Sequence, residues 1–205
     1  MLKIFNNFKI SKNLKKSILL IGNFDGLHSG HQKVCQEAKK YKKKYKLKLG
    51  VLTFNTLPVM FFDKKIKNYR ISNFDQKISC FEKFGVDFLI NKNFNKKFSK
   101  ITYQKFIEKI LYKKLNAKYI FVSNNFKFGN KRKGNVSLLK KFGKRYNYKL
   151  LKINPFKNRG KVISSTRIRK YLQAGNLALA NKLLSRTWFV EGSVQKGKKL
   201  GRKLG

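Results

Sequence analysis

A chain of 205 residues that is 41% apolar can bury the core of one α/β domain, and its uninterrupted apolar stretches, such as Ile18 to Ile21, are far too short to span a bilayer. A formal net charge of +43, from 51 basic against 8 acidic side chains, would ordinarily point to a nucleic-acid partner through phosphate neutralisation. Here the basic residues are overwhelmingly lysines scattered along the whole chain beside abundant Asn, Ile, Phe and Tyr, the profile that AT-rich codons impose, so no specific nucleic-acid function is expected and the charge serves to draw in anionic substrates.

From the amino terminus the segments alternate between strand-like and helix-like patterns, the signature of a parallel sheet flanked by helices. Ser17 to Gly22 reads as a short apolar strand, His31 to Tyr45 as a helix and Leu47 to Phe54 as a second strand. Phe74, Ile78, Phe81 and Phe84 recur at helical spacing, Gly85 supplies the stop, and Val86 to Ile90 follows as a strand. The pattern repeats with Tyr103, Phe106, Ile107, Ile110, Leu111 and Leu115 on one helical stripe ahead of a strand at Lys118 to Ser123. A basic, glycine-containing loop spans Asn124 to Asn135, a helix is expected near Val136 to Tyr146, and a further strand near Tyr148 to Ile153. Serine and threonine caps within Ile163 to Arg169 open another helix, which continues to Ala174 and stops at Gly175. The expectation is a Rossmann-like α/β fold with a parallel sheet of about five strands, ligands binding at the carboxyl ends of the strands.

Three polar segments fall at those ends: Asn23 to His31, Asn55 to Phe62 and Ser123 to Asn135. The first carries the only two histidines, His28 and His31. Spaced three apart at a helix entrance, two imidazoles can point at the same oxygens, while Gly22, Gly26 and Gly30 permit a tight backbone path against a bulky ligand. That combination implies work on a nucleotide triphosphate. A zinc site built from His28, His31 and Cys35 is the competing reading; it lacks a fourth ligand, and no metal-ligating residue is assigned. The helix start at Ser164, Ser165 and Thr166 is a second anion site, to which Arg167 and Arg169 add planar bidentate donors. Cys35 and Cys80 stand apart with no Cys-x-x-Cys pair, which speaks against a disulfide framework; together with the lack of a cleavable apolar leader this suggests the cytoplasm.

Three motifs carry a resemblance. They are Gly22-Asn23-Phe24-Asp25-Gly26-Leu27-His28-Ser29-Gly30-His31, then Val122-Ser123-Asn124-Asn125-Phe126-Lys127-Phe128-Gly129, then Ile163 to Arg169. In that order they are similar to the first ATP motif, the flavin-side loop and the second phosphate motif of the FMN adenylyltransferase module of bacterial bifunctional riboflavin kinase/FMN adenylyltransferase, also called bacterial FAD synthetase. Leu183 to Arg186, followed by Trp188 to Val194 and Gly197 to Gly205, resembles the junction into the kinase module. The resemblance covers nearly the whole chain.

It implies a nucleotidylyltransferase fold that transfers AMP from ATP to FMN, giving FAD and pyrophosphate, with Mg2+ riding on the ATP phosphates. His28 and His31 would act at the α and β phosphates, and Arg169 would clamp the β and γ phosphates with caps and hydroxyls from Ser164, Ser165 and Thr166. Gly22, Asn23, Phe24, Asp25 and Gly26 would line the ATP side, Asp25 bracing the loop rather than ligating metal. Asn125 would contact the FMN phosphate or Mg2+, an ordinary loop cap being the alternative; Phe126 and Phe128 are either flavin-facing or core.

Some positions depart from the family. Thr56-Leu57-Pro58 stands where Pro-His-Pro is typical, Ser123 and Ser185 replace glycines, and the sequence given stops at Gly205, ahead of the family's Pro-Thr-Ala-Asn segment. The resemblance therefore implies an adenylyltransferase domain at 1–185 and the truncated start of a kinase barrel at 186–205, a poorly anchored, short β-like tail without riboflavin kinase activity. The alternatives are a basic nucleic-acid-binding protein, another nucleotidylyltransferase, or an inactive remnant.

Overall fold

The computed structural model describes residues 1–66 and 69–194. Six strands form one parallel sheet: β1 (Lys3–Phe5), β2 (Ile18–Ile21), β3 (Leu49–Phe54), β4 (Phe88–Lys92), β5 (Tyr119–Ser123) and β6 (Lys149–Ile153), in the spatial order β1-β4-β3-β2-β5-β6. The chain steps outward from β2 to β3 and β4, then returns to place β5 on the other side of β2. The strand order thus reverses at β2, and the crevice above its carboxyl end is where such sheets take ligands. Every residue of β2 is buried, as a strand covered on both faces requires.

Helices cover both faces. Apart from a single turn at Lys96–Ser99, the α-helices are α1 (Ser29–Tyr45), α2 (Pro58–Phe62), α3 (Phe74–Lys83), α4 (Tyr103–Lys105, continuing in π-helical form over Phe106–Lys114), α5 (Val136–Tyr146), α6 (Ser165–Gln173) and α7 (Leu177–Leu184). The alternation of a strand splits the core in two. Leu19 and Ile21 pack with Ile90, Ile107, Leu111 and Leu139 on one face; Ile18 and Leu20 pack with Val51, Cys35, Ala38 and Phe81 on the other. A third cluster joins Ile71, Ile163, Ile168, Ala180, Leu183 and Leu184, fastening α6 and α7 beside the carboxyl ends of the strands. No helix among the described residues is long and apolar enough to cross a membrane.

The sheet has one strand more than expected. Lys3–Phe5 is three residues long and largely exposed, too short to show alternation, and becomes a strand because it pairs with β4. The basic loop from Asn124 to Asn135 contains a small antiparallel hairpin, Lys127–Phe128 against Gly134–Asn135. Cys35 is buried and its thiol is pushed up to about 12 by desolvation, whereas Cys80 is only half-buried; both are free.

The expected poorly anchored tail is different too. Trp188 donates its indole N–H to the Ile71 carbonyl at 2.8 Å, and Asn181 Oδ1 accepts its backbone N–H at 2.7 Å. Asn73 donates to Glu191 Oε2 at 2.9 Å, and Gln76 to the Phe189 carbonyl at 3.2 Å. The chain from Arg186 to Glu191 is therefore held against α3 and the segment before it, and forms no strand among the described residues; 195–205 lie outside them. Trp188 is the chain's single tryptophan, so its fluorescence reports this docking directly. Native emission should be blue-shifted and partly shielded from acrylamide, and Asn181→Ala should shift it to the red; a native spectrum equal to that of the urea-unfolded chain would contradict the docked segment.

Candidate functional site

The loop after β2 is built around a buried carboxylate. Asp25 is 3% exposed; its Oδ1 accepts the Ile71 N–H at 3.0 Å and its Oδ2 meets Arg169 Nη2 at 2.5 Å. Ser165 at the start of α6 donates its hydroxyl to the Asp25 carbonyl at 2.9 Å. The loop backbone bends through the left-handed region at Phe24 (φ 47°), Gly26 (φ 76°) and Leu27 (φ 35°), a path that costs energy and must be held from outside. Gly26 is required twice over, because a Cβ there would also lie 2.9 Å from the Ile71 side chain.

The other loop carbonyls are held as well. Asn23 O accepts from Thr53 Oγ1 at 3.0 Å and from Lys77 Nζ at 3.1 Å, and Gly26 O accepts from Arg186 Nη2 at 3.0 Å. Arg186 Nη2 also reaches Ser72 Oγ at 2.9 Å, and Arg70 donates to the Asn55 carbonyl. Arg169 is fixed further by Nε on the Tyr69 carbonyl at 2.7 Å and by the Tyr69 ring, 3.6 Å from its guanidinium carbon. Its Nη1 makes no hydrogen bond among the described residues.

The two histidines follow directly. His28 is the N-cap of α1: its Nδ1 accepts the His31 N–H at 3.3 Å, which puts the proton of the neutral ring on Nε2. The two imidazoles stack with centroids 3.7 Å apart and planes at 17°. Gly30 makes room, since a Cβ there would stand 3.2 Å from the His28 ring. Burial pushes His28 down to about 4; His31 lies well below its ordinary value through burial first, then the neighbouring His28 and Lys77. Both rings are thus neutral at pH 7, which stacking requires of two groups that would repel if charged. His31 Nδ1 is enclosed and has no hydrogen-bond partner among the described residues. Ser29 Oγ and Gln32 Nε2 donate to the Leu183 and Leu184 carbonyls at 3.0 and 2.8 Å, so the mouth of α1 rests on the end of α7.

The remaining candidates gather around this centre to different degrees. Ser164 caps α6 by accepting from Arg167 N–H at 3.3 Å, while Thr166 is exposed. Arg167 turns to the Tyr171 hydroxyl and the Lys161 carbonyl. Because Leu20 pairs with Phe121, the loop from Asn124 to Asn135 leaves β5 level with Gly22, one strand away. On it Asn125 is exposed and accepts from Ser123 Oγ at 3.0 Å. Phe128 is core, and Phe126, itself only half-buried, stacks on it at 5.5 Å. Leu57 is buried at the start of α2 and offers no polar atom. Thr53, Arg70, Lys77 and Arg186 were missed in the sequence, since nothing in their spacing ties them to the loop. No group of three or more His, Cys, Asp or Glu suited to a metal occurs among the described residues, and the one buried carboxylate is engaged by Arg169. A shallow cleft of about 290 Å3 between Tyr45, Lys118, Tyr119 and Lys149 lies at the opposite, amino-terminal end of the strands and shares no residue with this centre.

A profile of the FAD synthetase family matches residues 10–167. The bifunctional riboflavin kinase/FMN adenylyltransferase of Buchnera aphidicola subsp. Schizaphis graminum is 40% identical over 203 residues, covering 98% of this chain; the chain spans 64% of that relative's length. A crystal structure of a macrolide-efflux protein from Streptococcus pneumoniae superposes with a TM-score of 0.83 at 28% identity, over 98% of this chain and 65% of that one. The pantoate-beta-alanine ligase of Francisella tularensis, at a TM-score of 0.55 and 18% identity over 100% of this chain and 85% of that one, shares the fold alone.

The neutral imidazoles make stability sensitive to acid. A histidine at about 4 in the folded chain and 6.5 when unfolded binds more protons unfolded, so stability is intact above pH 6.5 and falls as the pH drops towards 4. For His28 alone this amounts to about 3 kcal/mol. Urea unfolding across that window should show a weaker pH slope in His28→Asn, whose side-chain oxygen can replace Nδ1 as the N-cap acceptor; an unchanged slope would mean that His28 is not buried neutral.

Proposed function

The chain belongs to the FAD synthetase family, and we propose that it transfers AMP from ATP to FMN, forming FAD and releasing pyrophosphate. A phosphate oxygen of FMN attacks the α-phosphorus, the bond from that phosphorus to the bridging oxygen of the β-phosphate breaks, and the electron pair leaves with pyrophosphate. No covalent enzyme intermediate is required. The work of the protein is to hold two anions in line and to stabilise the charge that builds on the α-phosphate and the leaving group.

The observation that carries this reading is the stacked histidine pair beside a loop whose carbonyls and carboxylate are tied back to cations. His28 and His31 take the α and β phosphates. Arriving phosphates favour the imidazolium form, so ATP binding near pH 7 takes up protons. Arg169 braces the loop through Nη2 and presents Nη1 to the β and γ phosphates, with Ser164, Ser165 and Thr166 setting the start of α6. Gly22, Asn23, Phe24 and Gly26 supply the backbone path along the ATP, and Asp25 is its brace. Asn125 meets the FMN phosphate, and Phe126 flanks the flavin with Phe128 behind it. Mg2+ enters as part of MgATP, held by phosphates and water, because the chain's buried carboxylate is already paired. Residues 1–185 form the transferring unit, with residues 186 onward beginning what the relatives carry as a riboflavin kinase. Substrates of this kind and two free thiols fit the cytoplasm.

Incubation with ATP, Mg2+ and FMN should yield FAD and pyrophosphate in equal amounts; no FAD from the folded wild-type chain would overturn the proposal. His31→Ala should lower turnover about a hundredfold with the fold intact. Arg169→Ala should lower it as much but also destabilise the fold by about 3–5 kcal/mol, because it leaves Asp25 buried and unpaired. Near-wild-type synthesis in either variant would remove that residue from the site.

A further inference from the structure

Lys77 is a buried cation to which the proposed chemistry gives a tie to the loop but no contact with substrate. It lies on α3, 7% exposed, and its Nζ donates to the Asn23 carbonyl at 3.1 Å. The same oxygen accepts from Thr53 Oγ1 on β3 at 3.0 Å, and Thr53 is fully buried. Among the described residues no carboxylate lies within ion-pairing distance of Lys77. The charged and titratable groups that face it are Asp25 from the loop, already paired with Arg169 of α6, Arg70 from the segment before α3, and His31 from α1. A lysine in such surroundings weakens the fold by its desolvation, so its presence calls for a compensating use.

Geometry supplies one. In a trans peptide the carbonyl oxygen and the following N–H point to opposite sides. With Asn23 O held towards β3 and α3 by two donors, the Phe24 N–H is turned away from them, and among the described residues it has no acceptor. That amide stands at the first left-handed residue of the loop, where the backbone would otherwise relax.

Resting on the adenylyl-transfer reading, we propose that Lys77 is a positioning residue: with Thr53 it locks the Asn23–Phe24 peptide so that the Phe24 amide faces a phosphate oxygen of the bound triphosphate. Lys77 acts on the backbone, and the backbone on the ligand. Its charge matters because a cation holds a carbonyl more strongly than a neutral amine does.

The test is the pH dependence of kcat/KM for ATP, which reports groups of the free protein. Burial pushes Lys77 down to about 8, with Asp25 opposing and Arg70 adding to the shift. Wild-type kcat/KM should therefore fall as the pH rises through about 8. Lys77→Arg, which keeps its charge, should move that alkaline limb upward by at least one pH unit. Lys77→Met should lower kcat/KM at least tenfold at neutral pH and abolish the limb, yet melt no lower than wild type, having given up a buried charge. A merely structural lysine would lower the melting temperature and leave the limb in place, and that result overturns the inference. If Lys77→Met fails to fold, Lys77→Arg decides: an alkaline limb unmoved in that variant also overturns it. Wild-type FAD synthesis with both variants unimpaired sinks this inference alone, whereas a wild-type chain that makes no FAD removes the function and the inference together.

Discussion

The contact between Asp25 and Arg169 is the constraint on which the rest of the site depends. It joins the loop after β2 to α6, and through the Ile71 N–H the same carboxylate also holds the segment that leads into α3. A carboxylate so buried is tolerable only when fully hydrogen-bonded, and removing its partner would cost more than the pair itself contributes. Once Asp25 is fixed, Gly26 must pass under the Ile71 side chain with positive φ, and Leu27 and His28 are delivered to the mouth of α1. The position of the histidines is thus a consequence of one ion pair and two hydrogen bonds some residues earlier.

Charge around the loop is unbalanced in a way that suits its proposed ligands. Arg70, Lys77, Arg169 and Arg186 converge on or beside it, against the single buried carboxylate of Asp25. In a crevice partly closed to water that surplus favours an anion far more than a surface lysine does. The histidines refine the same device. Kept neutral by burial, they impose no cationic repulsion on the resting loop, and in the proposed reaction they would acquire charge as phosphate approaches. The overall charge of +43 acts at longer range and, on the proposed function, would raise the encounter rate with nucleotides at low salt without defining where they bind.

Much of the fold was legible because apolar runs mark a parallel sheet plainly. The strands at Ile18–Ile21 and Leu49–Phe54 and the helix at Val136–Tyr146 fall where periodicity put them. Lys3–Phe5 was not, since three residues carry no period and only the partner strand makes them a strand. The wide turns of Phe106–Lys114 escaped for another reason: over nine residues, Phe106, Ile107, Ile110 and Leu111 fall on one side under either α or π winding, so the apolar spacing does not separate the two. In the site, the histidine pair and the bracing role of Asp25 could be read from the glycine-rich motif. Lys77 could not, being one of 43 lysines, most of which, among the described residues, lie at least partly on the surface. Arg186 lay beyond the expected domain boundary, yet a signal existed. The chain holds only eight arginines among its lysines, and Arg70, Arg169 and Arg186 are three of them. Arginine in so lysine-rich a chain marks places where a planar fork of donors is needed.

On the proposed function, the loop from Gly22 to His31 is an anion receptor set in place before its ligand arrives. Amide chemical shifts during titration of the isotope-labelled chain with Mg2+ and a non-hydrolysable ATP analogue measure this most directly. The largest shifts are expected at Phe24, Gly26 and His31, with the Ile71 and Gly85 amides nearly unmoved because the scaffold does not rearrange. Shifts confined to Tyr45, Lys118 and Tyr119 at the other end of the strands, with the loop silent, would contradict it.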